Sequence, residues 1–142
     1  MTLSLWMLLA FAGWTLLVLL IGVGVYRWSL IFTGRAQLAS FPGDQPHGAE
    51  AYRRAVRAHA NCIENLPVFA AVVLIAAAAR LDPPNFGALA ATTVGARVVQ
   101  SSIHMLLPVS NPMVAARFSF FLVQVMTMIA MGVLIVLAAL SR

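Results

Sequence analysis

The chain has 142 residues, 62% of them hydrophobic and 9% charged, with a net charge of +5. So few polar groups cannot cover so much apolar surface in water, which excludes an ordinary soluble domain and describes an integral membrane protein. All nine basic residues are arginine, and they are spread among apolar stretches, which excludes a clustered nucleic-acid-binding face.

A hydrocarbon core takes about 20 residues per helix, so this length allows at most four spans in one domain. The expected fold is an all-α integral membrane four-helix bundle over residues 1–142, with spans at about 3–32, 50–80, 84–107 and 113–140. Met1 to Tyr26 carries no charge and lacks the basic start and cleavage pattern of a removable signal peptide, so it is expected to stay as the first span. Within it Gly13, Gly22 and Gly24 would permit close helix contact, and Trp6 and Trp28 suit interfacial anchors.

The connection from Thr33 to Ala49 holds Gly34, Pro42, Gly43, Pro46 and Gly48, a breaker density that forbids a continuous helix. His47 lies in it and is expected to be exposed to solvent. Arg27 and Arg35 precede this loop and Arg53, Arg54 and Arg57 follow it. The positive-inside rule then puts the loop in the cytoplasm and both termini outside.

The second helix, from about Glu50 to Arg80, contains Pro67, which removes the donor for the Ile63 carbonyl and predicts a kink beside Glu64. At 100° per residue, Arg53, Arg54, Arg57, Asn61 and Glu64 fall on about a third of its circumference. Charge at membrane depth normally faces a bundle interior or a watery site, so this stripe is a candidate site. Cys62 has no partner for an internal disulfide and reads as a small buried apolar side chain.

In the segment Leu81 to Asn85, Asp82 is placed to cap the third helix with Pro83 at its first position. Arg97, Gln100, Ser101 and His104 share one face of that helix, with Arg97 near mid-span. Asn111 is expected to cap the fourth helix ahead of Pro112, and Arg117 and Gln124 share a face of it. No carboxylate or second histidine stands at ligand spacing beside His104, so no metal is expected. A haem held by His59 and His104 is equally unsupported, because His59 points away from the Arg57 stripe.

The up-down topology brings Arg57, Arg97 and Arg117 together against a single Glu64. Arginine forks recognise carboxylates, while one acid and one amide suit an ammonium group and a peptide bond. A small peptide with several carboxylates fits that set.

The run Arg57-Ala58-His59-Ala60-Asn61-Cys62-Ile63-Glu64, followed by Pro67-Val68-Phe69, resembles the second-helix signature of the MAPEG family, the membrane-associated proteins in eicosanoid and glutathione metabolism. The resemblance implies a homotrimer of four-helix subunits that binds glutathione, as a co-substrate, between neighbouring subunits near the cytoplasmic face. It implies glutathione-binding roles for Arg57, Asn61, Glu64, Arg97, His104, His59 and Arg35, and gives Arg117 the part of activating the thiol. The other partners it implies are membrane lipids and a lipophilic small molecule, the electrophile of a transferase or peroxidase. Where tyrosines are expected on the third and fourth helices the chain has Gln100, His104 and Phe121, leaving His104 or Ser101 to contact the thiol. A non-catalytic lipid-binding protein of the same fold and a small four-span transporter using Glu64 are the alternatives.

Overall fold

A computed structural model describes residues 1–41 and 47–141, so the expected loop breakers Pro42, Gly43 and Pro46 lie outside the described residues. The described chain is all-helical. It has four long helices, α1 at Leu3–Phe32, α2 at Glu50–Ala78, α3 at Phe86–Leu106 and α4 at Asn111–Leu140, and a single 3-10 turn at Leu38–Ser40. By length and hydropathy α1, α2 and α4 can each cross a membrane. The third helix is shorter, and the bundle encloses its polar side chains: Thr93, Arg97, Gln100 and Ser101 are all buried.

The first helix is not uniformly α-helical. Val18–Gly24 winds as a π segment between two α segments, a local widening that periodicity does not foresee. Of its glycines only Gly22 meets another helix: a Cβ there would stand 3.1 Å from Ala55 Cβ on α2 and 3.4 Å from Met105 Sδ on α3. Gly13, expected as a packing glycine, faces open space, because it lies on an outward side of the helix.

The two expected caps differ in detail. Asp82 does not cap α3; the chain turns through Pro83 to Phe86, with the Phe86 amide donating to the Pro83 carbonyl at 3.1 Å, and Asn85 enters the helix at a φ of 66°. Ser110 rather than Asn111 precedes α4, which places Pro112 one position further in, still within the first turn where its missing N–H costs nothing. The second helix continues through Pro67.

Phe11, Phe69, Val73, Phe86, Ala90, Met128 and Met131 form the core between the helices. Leu9, Leu16, Leu20, Ile75, Ile129 and Leu137 are each more than half exposed, which suits a surface solvated by acyl chains. At the bundle end formed by the close of α1 and α3 and the start of α2 and α4, Arg27, Arg35, Arg53, Arg54, Arg57 and Arg117 gather.

The loop entering α2 is tied down at this end. Arg27 Nε donates to the Tyr52 hydroxyl at 2.6 Å, Tyr26 stacks on Tyr52 with centroids 4.4 Å apart, and the Ala49 amide donates to the Tyr26 hydroxyl at 3.2 Å. His47 is therefore half-buried, edge-on to Tyr52 at 5.4 Å, and not the freely exposed loop residue its neighbours suggested. Gly48 permits the approach: its φ is +78°, and a Cβ there would meet Tyr52 Cδ1 at 3.0 Å.

Candidate functional site

A cavity of about 390 Å³ opens at the arginine-rich end, lined from α2 by Arg57, Asn61, Glu64 and Asn65, from α3 by Gln100 and His104, and from α4 by Val114, Arg117, Phe118 and Phe121. That volume lies in the range of small-ligand sites, roughly 300 to 1,000 Å³. Arg57, Asn61 and Glu64 reach one wall because they recur at helical spacing on one side of α2. Asn65 is added one turn beyond Asn61 and donates to the Asn61 carbonyl at 2.9 Å. Glu64 is exposed to the cavity and has no ion-pair or hydrogen-bond partner among the described residues. Its carboxylate is available to a ligand.

Across from it, Arg117 Nη1 and His104 Nδ1 are 3.1 Å apart. A guanidinium can only donate, so His104 Nδ1 accepts and the ring carries its proton on Nε2. The pair thus offers a fixed positive charge from Arg117 and one N–H donor from a neutral imidazole. Two arginines against one glutamate leave the cavity one positive charge in excess.

The remaining expected site residues lie outside this cavity. Arg97 is 1% exposed, with its guanidinium carbon 5.8 Å from the Phe11 ring centroid, and its Nε and Nη2 have no hydrogen-bond partner among the described residues. Side chains lean toward the N-terminus of their helix, and on α3 that is away from the cavity, so sharing a face with His104 does not bring Arg97 to it. Ser101 is also buried; its hydroxyl donates to the Arg97 carbonyl at 2.8 Å and lies 3.5 Å from Cys62 Sγ. It is not free to contact a thiol in the cavity. His59 is half-buried with its Nδ1 unpartnered among the described residues, and Arg35 stands exposed in the loop. Arg53 is exposed outside the cavity, and Arg54 turns to Glu50 at 2.6 Å and to the Met105 carbonyl at 3.5 Å.

The MAPEG family model matches residues 4–137, nearly the whole chain. The chain belongs to the MAPEG family. It is a membrane protein of the glutathione and eicosanoid metabolism type. Comparison with curated proteins and with solved structures gave no match. In this MAPEG protein the cavity also takes Asn65, Gln100, Val114, Phe118 and Phe121, which were not among the expected ligand-binding residues. Gln100 and Asn65 were recoverable in principle, each standing a helical turn from an expected site residue. The apolar wall was not, because a phenylalanine facing a ligand and one facing lipid read alike.

Proposed function

We propose that the cavity binds glutathione and that the protein is a glutathione-dependent membrane enzyme, a transferase or peroxidase acting on a lipophilic electrophile. The observation that carries this reading is the Arg117–His104 pair on one wall, 3.1 Å apart, facing Arg57, Asn61 and Glu64 on the other. Glutathione presents two carboxylates, an ammonium, two peptide bonds and a thiol. Arg57 is suited to a carboxylate, Asn61 to a peptide group and Glu64, which makes no hydrogen bond or ion pair among the described residues, to the ammonium. With the peptide held so, the thiol faces Arg117 and His104.

Arg117 supplies the positive charge that favours thiolate over thiol, and His104 Nε2–H is the donor left to hold the sulfur, the part a tyrosine hydroxyl would otherwise take. In a transferase step the sulfur lone pair forms a bond to an electrophilic carbon, the electron pair of the breaking bond leaves with its substituent, and the thiol proton has already passed to solvent. Phe118 and Phe121 form the apolar wall along which such a substrate approaches from the bilayer. The reading includes a homotrimer in which Arg35, outside its own subunit's cavity, reaches that of a neighbour. It also places the arginine-rich end in the cytoplasm, where glutathione is abundant and where the positive-inside rule puts it.

The test is a titration of purified, detergent-solubilised protein with glutathione, followed by ultraviolet thiolate absorbance. A saturable signal lost in Arg117→Ala, and weakened in affinity by Glu64→Ala, is expected. Saturable binding of glutathione with no thiolate at any pH up to 8 would instead favour a non-catalytic protein of this family, and no binding would remove glutathione from the account.

A further inference from the structure

The chain buries a second polar cluster that the proposed chemistry does not use. Gln124 is fully buried, on the α4 face that also buries Met128 and Met131. Its Nε2 donates to Gln100 Oε1 at 2.9 Å and to the Phe120 carbonyl at 2.8 Å. Gln100 Nε2 in turn donates to the Arg117 carbonyl at 3.0 Å. Both ends of this chain are backbone carbonyls, which only accept, so the orientation of each amide follows. If either flipped, nitrogen would face nitrogen or oxygen would face oxygen.

Gln124 Oε1 is buried without a hydrogen-bond partner among the described residues. Methionine in its place would remove that acceptor but would leave Gln100 Oε1 without the N–H it accepts from. Such a clasp is best understood by what it holds, and it ends on the backbone of Arg117. We propose that Gln124 is a positioning residue: through Gln100 it sets where the first turns of α4 stand against α3, and so holds the Arg117 guanidinium on His104 Nδ1. The consequence for glutathione rests on the function proposed above, whereas the consequence for the His104 ring does not.

Thr93 provides the control. Its hydroxyl meets that of Thr127 at 2.8 Å, joining the same two helices further from Arg117, about one turn along α4 and two along α3. If Gln124 only glues α3 to α4, then Gln124→Met and Thr93→Val should behave alike.

The experiment uses full-length protein with ¹⁵N-labelled histidine, of which there are three residues to assign. In the wild type the ring nitrogens of His104 should report a single Nε2–H tautomer. In Gln124→Met and Gln100→Met they should move to a mixed tautomer population, with Thr93→Val unchanged. The parallel glutathione titration should show a several-fold smaller thiolate signal at saturation in both Gln variants, with half-saturation little altered. A His104 tautomer unmoved by either Gln variant would overturn the proposal, as would an equal response in Thr93→Val. If Gln124→Met fails to fold, Gln100→Met decides by the same readout. A wild type that shows the expected tautomer and no response to glutathione would sink the function proposed above while leaving the clasp standing.

Discussion

Replacing Arg117 by methionine removes one positive charge from the cavity with little change in side-chain length, and its effect on a bound thiol can be worked out. A free thiol with a pKa of about 8.5 is roughly 3% thiolate at pH 7. A unit charge about 4 Å from the sulfur contributes about 1 kcal/mol in water and about 4 kcal/mol at an effective dielectric of about 20. Arg117 is half-buried at the wall of an open cavity, between those limits. About 2 kcal/mol in favour of the charged form lowers the pKa of the bound thiol by about 1.5 units, to about 7. The sign follows from the cation stabilising the thiolate. Half the bound glutathione is then ionised at neutral pH, and Arg117→Met should cut that fraction roughly tenfold or more.

The assay is thiolate absorbance at saturating glutathione across pH 5.5 to 9.5. The wild-type curve should have its midpoint near pH 7 and the variant's should move up toward about 8.5. Arg117→Lys separates charge from geometry, because lysine keeps the charge while giving up the planar fork that meets His104. It should fall between the two. Coincident midpoints for wild type and Arg117→Met would refute the assignment of thiol activation to this residue.

Three further outcomes are expected. Arg57→Met should weaken glutathione binding by about 1.5 to 3 kcal/mol, the range for hydrogen bonds to charged groups, whereas Arg53→Met, outside the cavity, should bind as the wild type does; calorimetric titration compares them. Gly22→Val should lower thermal stability by about 1 to 3 kcal/mol through overpacking against Ala55 and Met105, and Gly13→Ala, facing open space, should not, as detergent-phase melting curves would record. Tyr52→Phe removes the acceptor 2.6 Å from Arg27 Nε. It should loosen the loop before α2 and speed tryptic cleavage after Arg35, with unchanged cleavage showing that the hydroxyl does not hold the loop.

What could be read along the chain is what depends on one helix at a time. Apolar run length decided that the chain is an all-α membrane protein, and Gly and Pro density marked the loop before α2. The 3.6-residue period put Arg57, Asn61 and Glu64 on one side of α2, because the angle around a helix depends only on the spacing within it. The same rule put Arg97 beside His104 on α3 and could go no further.

How deep a side chain reaches, and which neighbour it meets, depend on the direction in which its helix runs and on how the facing helix is rotated about its own axis. Neither is encoded in spacing. Tertiary packing therefore decided that Arg97 points back over Phe11, that Ser101 is spent on the α3 backbone, and that Arg117 rests on His104 across the α3–α4 seam. It likewise decided that Gln124, which the sequence could place only on the same side of α4 as Arg117, is turned inward to Gln100. A membrane bundle has little hydrophobic force between its helices, so close packing and buried polar contacts of this kind set how the helices seat against one another.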